Sequence, residues 1–421
     1  MQPKFALEGI RVLDLGMFMA GPYCGALLAD MGAEVIKVES CRRPDPIRIQ
    51  SRGVYPHGDP GERPWNRSGM INERNRNKLG ITLDLTMPRG QEVFKKLVKV
   101  SDVVLENFSR RVVSDLGLEY ASLKEVNPSI ILLSLSSQGV TGPEKDNVSF
   151  GPTLEQVGGL AYLTGYPDQM SSFSSYAYPD FLAGVLGAGA IIAALRYRQR
   201  TVKGMHIDLS QREVATCVIG ETMMDYSMNR RVRKAIGNRH PSRAPYGCYP
   251  CKGEDEWVTI AIDSDDDFLR FCKAIGQPEL ADDNRFCDVL SRLKNQDELD
   301  RIISGWTKER EHYQIMKILQ DAGLAAGPVL TVKELFQDPH LAKREFFKEQ
   351  THPEAGTFVY KGRPLRFSKT PLREDMPAPC LGEHNSLIYG SLLGMSQDEI
   401  NELEREGVIG TVPTAKNLQY T

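Results

Sequence analysis

The chain contains 421 residues, of which 41% are hydrophobic and 25% charged, a composition typical of a globular protein with room for two domains. Its formal net charge of −3 gives no overall attraction to nucleic acid or to an anionic membrane, so neither is expected as a partner and a small-molecule ligand is favoured. Its eight cysteines are scattered and its first residues lack the pattern of a signal peptide, which predicts a cytoplasmic protein with reduced thiols.

Short apolar runs alternate with helix-compatible segments through the first 228 residues. This order of strand, helix and strand is typical of an open, largely parallel sheet with helices on both faces. We therefore predict a Rossmann-like, doubly wound α/β domain over residues 1–228. The runs that predict its strands are Ile10–Leu15, Ala33–Val38 and those beginning at Ile81, Asp102, Ser129 and Met205.

The rest of the chain predicts a second domain and a returning tail. Residues 229–330 begin with a basic loop and then combine the strand-like WVTIAI with amphipathic helices, which favours a smaller α+β domain. Residues 331–421 follow Pro328 and are expected to return to the first domain. Cys248 and Cys251 have the spacing of a zinc or redox pair, but no second pair is near them in the sequence, so neither role is favoured.

Asp180 stands directly before fifteen apolar or glycine residues, Phe181–Leu195. This run is too short to cross a bilayer and predicts a buried helix instead. Aspartate is preferred at a helix N-cap, where its oxygens accept hydrogen bonds from free backbone N–H groups. A carboxylate desolvated at the same place could act as a nucleophile. The segment alone leaves both interpretations open, and capping is the simpler one.

Common cofactor and catalytic motifs are missing from the sequence. Glu39 follows the second predicted strand as a ribose-binding acid would, but the turn GMFMAGPYCG lacks the GxGxxG spacing and places Pro22 where a phosphate-binding N–H is needed. The seven histidines form no HxxxH or HxxE pair, and no GxSxG or GxxxxGK[ST] motif occurs. We therefore expect neither a nicotinamide cofactor nor a metal.

Basic residues recur near the ends of predicted strands in the first domain. Ligands of open α/β sheets bind outside the carboxyl ends of strands, so such residues could hold a phosphorylated ligand. Each cluster taken alone is better explained as solvated surface charge, and only their recurrence favours a site. The clusters are Arg42 with Arg43, Arg74 with Arg76 and Lys78, and Arg110 with Arg111.

Many short segments between about Leu7 and Gly410 form a distinctive series of motifs. They are GIRVLDLGMFMAGPYCGALLADMGAEVIKVE, NRNKLGITLDL, DVVLENF, SSQGVTGP, GGLAYLTGYPD, AYPDFLAG, IDLSQRE, GPVLTVKELFQDPHLAKREFF and PAPCLGEH. Their order along the chain resembles that of the class III coenzyme A transferases, also called the CaiB/BaiF family.

The resemblance implies a fold, an assembly and a reaction. The family's subunit has a Rossmann-like large domain built from both chain ends and a smaller inserted domain. Two subunits interlock, so the partner would be a second copy or a related subunit. The substrates are coenzyme A thioesters and a small carboxylic acid, with no tightly bound cofactor. The family's nucleophilic aspartate corresponds to Asp180, whose ordinary pKa of about 3.9 would keep it ionised without a base.

The resemblance also assigns other residues position by position. Gln138 and Gly139 lie in the loop that lines the reacting centre, where backbone N–H groups could stabilise oxyanions. The segments similar to those that contact coenzyme A contain Phe18, Met19, Ala20, Arg76, Asn77, Lys78, Asn107, Phe108 and Ser109.

Some positions depart from the family's pattern. Met19 stands where formyl-CoA transferases have a glutamine, Ser40 and Asp115 stand where some members have CoA-binding arginines, and the second domain lacks their glycine-rich lid. Exchange between formyl-CoA and oxalate is therefore not expected. The candidates to supply the missing charges are Arg42, Arg43, Arg110 and Arg111.

The segments SFGPTLEQVGG and YPDFLAG are more similar to the succinyl-CoA-dependent branch, which includes transferases of benzylsuccinate, than to the oxalate or carnitine branches. A dicarboxylate acceptor needs a second cationic contact. A basic loop that opens the smaller domain could supply it, or could equally be ordinary surface; its candidates are Arg231, Arg239, His240 and Arg243. The aromatic candidates for an apolar acceptor pocket are Phe150, Tyr162 and Tyr178.

Two other functions stay open from the sequence. An acyl-CoA racemase of the same superfamily needs a histidine base, but the corresponding stretch reads Phe150-Gly151-Pro152 and no histidine lies between Gly139 and Asp180. A partner subunit that binds coenzyme A without turnover is the second alternative, and the presence of Asp180 argues against it.

Overall fold

The computed structural model describes residues 5–50, 52–167, 169–174, 176–374 and 376–414. Its strands are β1 (Arg11–Asp14), β2 (Glu34–Glu39), β3 (Lys78–Thr82), β4 (Val103–Glu106), β5 (Ile131–Ser134), β6 (Met205–Asp208), β7 (Tyr246–Pro250), β8 (Trp257–Ala261), β9 (Ala325–Val329), β10 (Phe347–His352) and β11 (Gly356–Lys361). Its α-helices are α1 (Ala20–Asp30), α2 (Pro64–Arg67), α3 (Gly69–Arg74), α4 (Pro88–Lys99), α5 (Arg110–Asp115), α6 (Tyr120–Val126), α7 (Gly151–Val157), α8 (Leu160–Leu163), α9 (Tyr178–Thr201), α10 (Gln211–Cys217), α11 (Gly220–Asn229), α12 (Asp265–Ala274), α13 (Val289–Lys294), α14 (Gln296–Thr307), α15 (His312–Asp321), α16 (Val332–Leu335), α17 (Pro339–Lys343) and α18 (Gln397–Arg405).

Strands β1 to β6 form a parallel sheet in the order β3-β2-β1-β4-β5-β6 among the described residues. This is the strand order of a doubly wound, Rossmann-like sheet, which confirms the predicted fold class. Alternate residues of each strand enter opposite cores: Leu13 and Ile36 belong to one, Val12 and Val35 to the other. The chain reverses its direction of winding between β1 and β4, where such folds bind their ligands.

Helix α9 contains the apolar run and is longer than it, with 24 residues. It was predicted to be buried, but only part of it is: Leu186, for example, is exposed. Gly184 allows α9 to approach α1 closely, because a Cβ atom there would lie 3.0 Å from the carbonyl oxygen of Ala20. The whole helix, unlike the fifteen-residue run, is long and apolar enough to cross a membrane by length and composition alone. Half of its most apolar window is buried inside the protein, and the core helix of a soluble protein has the same composition.

The chain divides into two compact units. The first combines the residues up to Leu160, Phe173–Asn229 and the chain from Glu345 onward, and it contains the six-stranded sheet. The second combines Ala161–Ser172 with Arg230–Arg344. The second unit was expected to end at residue 330. It extends instead to Arg344, because it includes α16 and α17, and it also includes the earlier segment Ala161–Ser172.

The second unit has an antiparallel sheet in the order β7-β8-β9. Its core includes Phe268 of α12, Ile303 of α14 and Leu319 of α15. The amphipathic helices predicted in this region therefore bury their apolar sides with the sheet, as a small α+β domain requires.

The chain from Glu345 onward packs on β3, at one edge of the large sheet. The Tyr389 hydroxyl donates to the carbonyl oxygen of Thr82 at 2.6 Å, and the N–H of Thr82 donates to Asn385 Oδ1 at 2.9 Å. Ile400 and Leu403 of α18 join the same core as Leu13. The first unit is thus built from two parts of the chain that are distant in sequence.

Candidate active site

Asp180 lies in the first turn of α9 and does not cap it. The N-cap is Ala177, and no side chain accepts a capping hydrogen bond there. The capping role is therefore wrong, because the helix begins two residues before Asp180 and places the carboxyl group inside its first turn. Ala177 has a φ of +52°, a left-handed backbone that non-glycine residues rarely adopt and that is concentrated at functional sites.

The Asp180 carboxyl group is almost completely removed from water. The residue is 9% exposed, and its Oδ2 atom is buried without a hydrogen-bond partner among the described residues. Burial raises the pKa of Asp180 from 3.8 to about 7; the Arg74 guanidinium opposes this shift, and the Glu155 carboxylate adds to it. Asp180 therefore titrates near neutral pH, and the expectation from its ordinary pKa was wrong.

Gly151 allows α7 to begin directly beside this carboxyl group. A Cβ atom at Gly151 would lie 2.3 Å from Asp180 Oδ2 and 2.2 Å from the Ala177 Cβ atom, so only glycine fits without a shift. The preceding residue, Phe150, packs edge-on against Phe18 with ring centroids 5.2 Å apart. The segments that carry Phe18, Phe150 and Asp180 thus meet at one place. Sequence reasoning did not assign Gly151 to the site, since a glycine there has no side-chain chemistry to notice.

The loop Ser136–Gly139 follows β5 at the carboxyl end of the sheet. Gly139 has a φ of +89°, a conformation that favours glycine. The N–H of Val140 donates to Asp208 Oδ1 at 3.0 Å, and Gln138 Nε2 donates to Ser149 Oγ at 2.9 Å. These contacts tie the loop to β6 and to the segment before Phe150. The oxyanion role of this loop stays a prediction.

The turns after β1 and β4 are joined at the reversal of the sheet. Asn107 accepts a hydrogen bond from the N–H of Met17 at 2.7 Å and donates to its carbonyl oxygen at 2.8 Å. Phe18 has a φ of +61°, and its N–H donates to Asp45 Oδ1 at 3.0 Å. The structure therefore brings together the predicted segments Phe18–Ala20 and Asn107–Phe108 at the place where a doubly wound fold binds a ligand.

Arg76, Asn77 and Lys78 hold the chain together rather than present free charges. Arg76 donates from Nε and Nη2 to Asp30 at 3.1 and 2.6 Å, and Asn77 Nδ2 donates to the same carboxylate at 2.8 Å. Lys78 Nζ donates to Asp14 at 2.7 Å, with both side chains fully buried. Contact of these three residues with coenzyme A stays a prediction, and their side-chain partners disfavour it.

Four surface arginines remain accessible to a phosphorylated ligand: Arg42, Arg43, Arg110 and Arg111. Two of them have carboxylate neighbours, Asp84 at 3.3 Å and Asp115 at 3.7 Å. The Arg111–Asp115 pair is exposed on both sides and contributes at most about 1 kcal/mol, so a phosphate could compete for Arg111. Asp84 is buried, whereas the Arg42 side chain is exposed. Arg110 Nη1 also lies 3.5 Å from the carbonyl oxygen of Val140, and Ser109 is the N-cap of α5 without a side-chain hydrogen bond.

Arg239 and His240 belong to the second unit. Arg239 donates from Nη2 to Asp297 and, at 2.8 Å, to Asp300. His240 Nδ1 accepts from the N–H of Ser242 at 3.2 Å. The two carboxylates compensate the charge of Arg239, which disfavours it as a cation for substrate. Its role, like those of His240 and of Tyr178 at the start of α9, stays a prediction.

A second group of residues that the sequence did not predict lies in the second unit. Glu256, His312 and Glu334 each offer one metal-ligand atom within 4.8 Å of the others. The two carboxylates approach different nitrogens of the His312 ring, each at 2.8 Å. A single ion binds only one imidazole nitrogen, so the arrangement fits an ion-paired cluster better than a metal centre. The three residues are far apart in sequence, and no motif could have revealed them.

A cavity of about 420 Å³ lies beside β5 and β6, lined by residues that include Arg110, Tyr120 and Val140. Ser134 Oγ and His206 Nε2 lie in its wall, 2.9 Å apart. The neighbouring Glu106 is buried, and its burial raises its pKa to about 7. These strand residues become neighbours only through the register of β4, β5 and β6.

The structure defines, by fold and site, a two-unit α/β protein with a buried and unpaired carboxyl group near the ligand-binding edge of its sheet. The model of CoA-transferase family III matches residues 7–385. The chain therefore belongs to this family and is a class III CoA-transferase, which confirms the resemblance noted from its motifs.

Relatives of known activity are similar to the chain over almost its whole length. A succinyl-CoA–D-citramalate CoA-transferase of Chloroflexus aurantiacus is 36% identical over 408 residues, which cover 97% of this chain and 99% of the relative. A succinate–glutarate CoA-transferase of Agrobacterium fabrum is 33% identical over 390 residues, with 92% and 96% covered. The crystal structure of a CaiB/BaiF family protein from Brucella suis has a TM-score of 0.84 at 32% identity and covers 93% of this chain and 100% of its own.

Proposed function

We propose that this CoA-transferase moves coenzyme A from succinyl-CoA to a free dicarboxylic acid, with Asp180 as the covalent carrier. Its relatives are named for succinyl-CoA or succinate and for the acceptors D-citramalate and glutarate, which are small dicarboxylates. This supports the donor and the class of acceptor. Benzylsuccinate is a bulkier acceptor of the same class.

The observation that carries the proposal is the buried, unpartnered Oδ2 atom of Asp180. A carboxyl group removed from water without a partner lowers stability, so its presence calls for a chemical role. Structural roles do not account for it, because Asp180 neither caps α9 nor has an ion-pair partner within 4 Å among the described residues.

The proposed reaction has four balanced steps. Asp180 attacks the thioester carbonyl, the C–S bond breaks, and an aspartyl succinyl anhydride and CoA thiolate form. The thiolate then attacks the aspartyl carbonyl and expels succinate, leaving an aspartyl-CoA thioester. The acceptor carboxylate attacks this thioester and again releases the thiolate. Finally the thiolate attacks the acceptor acyl group, which frees Asp180 and gives the new acyl-CoA.

The chain's own residues would serve these steps in distinct ways. Gly151 would let the start of α7 pack closely against the reacting carboxyl group of Asp180. The Gln138–Gly139 loop would offer backbone N–H groups to the oxyanions of the tetrahedral intermediates. The packed rings of Phe18 and Phe150 would keep out water, which would otherwise hydrolyse both covalent intermediates. Thioester energy is conserved throughout, so the steps require no ATP, metal or bound cofactor.

We further propose that the working protein is an interlocked dimer. Helix α9 exposes apolar side chains at a helical spacing, Leu182, Val185, Leu186 and Ile192, and such a stripe on a soluble protein favours a covering partner. A second copy is the simplest partner. Two relatives of Chloroflexus aurantiacus are named as alpha and beta subunits, so a related subunit is the alternative. The eight cysteines are unpaired, which supports a cytoplasmic location.

The test is to trap the intermediate. Wild-type protein incubated with succinyl-CoA and hydroxylamine should acquire a hydroxamate on Asp180 alone, detected by peptide mass spectrometry. Asp180→Ala should abolish exchange of coenzyme A between its esters and free acids, whereas the exposed control Asp398→Asn should leave it unchanged. Turnover without any Asp180 adduct, or an active Asp180→Ala protein, would refute covalent catalysis.

The acceptor is found by a screen. Succinyl-CoA is mixed with glutarate, malate, citramalate, benzylsuccinate and a set of monocarboxylates, and new thioesters are measured by mass spectrometry. We expect dicarboxylates to be converted at least about tenfold faster than monocarboxylates. A monocarboxylate lacks the second carboxylate and so loses one charge-assisted hydrogen bond to the protein, which has an effect of this size. Equal rates for both classes would contradict the proposed acceptor class. Exchange of an α-proton with deuterated water without coenzyme A transfer would indicate a racemase instead.

A further inference from the structure

The proposed function, on which this inference rests, brings the carboxylate of the acceptor acid into a site with little water, where it attacks the neutral aspartyl-CoA thioester and a thiolate leaves. Succinate departs as a carboxylate from the same position. A desolvated anion is costly unless a cation compensates its charge, so such a site needs a cation near Asp180.

Arg74, at the end of α3, has the position that this chemistry requires. Its guanidinium carbon lies 5.9 Å from the ring centroid of Phe181, the residue that follows Asp180. Its side chain is only 13% exposed. Arg74 is also the cation whose charge acts on the Asp180 carboxyl group. The Glu155 carboxylate, which also acts on Asp180, accepts hydrogen bonds from the N–H and the hydroxyl of Ser174, both at 2.7 Å. Besides Asp180, the acidic groups whose charge acts on Arg74 are Glu73 and Asp45.

The guanidinium of Arg74 is only partly used by the protein. Nη1 donates to the carbonyl oxygen of Met70 at 3.0 Å and lies 3.7 Å from Glu73. Glu73 is itself held by Lys361 at 2.8 Å, which leaves less of its charge for Arg74. The Nε atom of Arg74 is buried and has no hydrogen-bond partner among the described residues. A buried donor without a protein partner is available to a water or a ligand, and Arg74 Nε is such a donor next to the residue that follows Asp180.

The other cations of the same segment lack this property. Arg76 uses Nε and Nη2 on Asp30 and Nη1 on the carbonyl oxygen of Glu73. Lys78 donates to Asp14, to the carbonyl oxygen of Pro22 and to Asn75. Every side-chain nitrogen of Arg76 and Lys78 therefore donates to a protein partner. Of the three cations, Arg74 is the one with a buried nitrogen, Nε, that has no partner among the described residues.

We propose that Arg74 binds the carboxylate of the incoming acid, and of the departing succinate, beside Asp180. The unpartnered Nε edge would donate to one carboxylate oxygen, and the guanidinium charge would offset the cost of removing that carboxylate from water. Arg74 is then a substrate-binding and specificity-determining residue of the transfer.

The experiment compares two nucleophiles that attack the same aspartyl-CoA thioester. The protein is loaded with succinyl-CoA and then treated with glutarate, which is anionic, or with hydroxylamine, which is neutral. Arg74→Gln should react with glutarate about 10- to 100-fold more slowly, the usual effect of removing a charge-assisted contact. It should react with hydroxylamine at the wild-type rate, and Arg74→Lys should recover part of the glutarate rate.

Controls separate this role from a structural one. Arg89→Gln, a surface variant in α4, should behave as wild type with both nucleophiles. Equal losses with glutarate and hydroxylamine in Arg74→Gln would overturn the proposal, and so would no loss with either. If Arg74→Gln does not fold, Arg74→Lys is tested in its place. A raised KM for glutarate with an unchanged rate of reaction with hydroxylamine would support the proposal. An unchanged KM for glutarate would overturn it.

Failure of the covalent mechanism gives a different result. In that case wild-type protein turns over without any adduct on Asp180, whatever Arg74 does. The KM for glutarate in steady-state turnover, compared between wild type and Arg74→Gln, then still reports whether Arg74 binds the acid.

Discussion

At the residue scale, Asp180 shows how burial and chemistry conflict. Its carboxyl group titrates near pH 7 because water has been removed from it. The same burial that excludes hydrolysis therefore leaves a large part of the nucleophile protonated at neutral pH. We expect kcat/KM to rise with pH through about 7 as the carboxylate forms, in a profile measured with a donor and acceptor that do not titrate there.

The raised pKa of Asp180 also predicts a pH-dependent stability. The folded protein holds this proton more tightly than the unfolded chain does, so the associated stability is full below pH 3.8 and is lost as pH rises through about 7. Asp180→Asn has no such loss. The free energy of unfolding of each protein is measured by urea denaturation at pH 5 and at pH 8. Between these two values wild type should lose roughly 2–3 kcal/mol more than Asp180→Asn does. A difference independent of pH would contradict the burial of this carboxyl group.

Gly151 gives a second prediction at this scale. Gly151→Ala places a methyl group 2.3 Å from Asp180 Oδ2, so the start of α7 or of α9 has to move. We expect at least about a tenfold loss of activity, since small misplacements of reacting groups have effects of this order. Gly305→Ala, where a Cβ meets nothing within 4 Å, is the matched control and should keep full activity. Wild-type activity in Gly151→Ala would show that the close approach of Gly151 to the Asp180 carboxyl group is not needed for the reaction.

At the scale of elements, the packing of α9 on α1 depends on which face each glycine occupies. Gly184 faces α1, where a Cβ would meet backbone and the Tyr23 ring at 3.0 Å, whereas Gly189 faces open space. Gly184→Ala should therefore lower the free energy of unfolding by about 1–3 kcal/mol through overpacking. Gly189→Ala should raise it by about 0.5–1 kcal/mol through helix propensity. Urea denaturation of the two variants measures both effects, and destabilisation by Gly189→Ala would indicate that a partner covers this face.

At the scale of the whole molecule, the exposed stripe of α9 predicts an assembly. Light scattering should give the mass of two chains, because apolar side chains such as Leu186 are about half exposed in the single chain. Leu186→Glu should reduce the yield of dimer, since it places a charge in the covered face. Leu290→Glu changes the same residue type at a more exposed position of the second unit; it is the control and should leave the dimer intact. A monomeric wild-type protein would contradict the interlocked arrangement.

The sequence by itself determined the class of fold and the family, and it singled out Asp180 as the candidate nucleophile. Alternating apolar runs predict strands and helices because these periods are local properties of the chain, and the six predicted strands all appear in the parallel sheet. The motif order was enough to identify the family. Local pattern also led to errors. One was the capping role of Asp180, because the helix boundary depended on Ala177 and Pro179 rather than on the apolar run. Another was the ordinary pKa expected for its carboxyl group.

Only the tertiary structure decided what surrounds that residue. Arg74, Arg76 and Lys78 look alike in sequence, yet two of them are saturated by buried partners and one keeps a free donor. Gly151 reaches Asp180 from about 30 residues away in sequence and Arg74 acts on it from about 100 residues away, and burial of the carboxyl group raises its pKa. Desolvation and pairing are sums over neighbours in space, so no pattern along the chain specifies them.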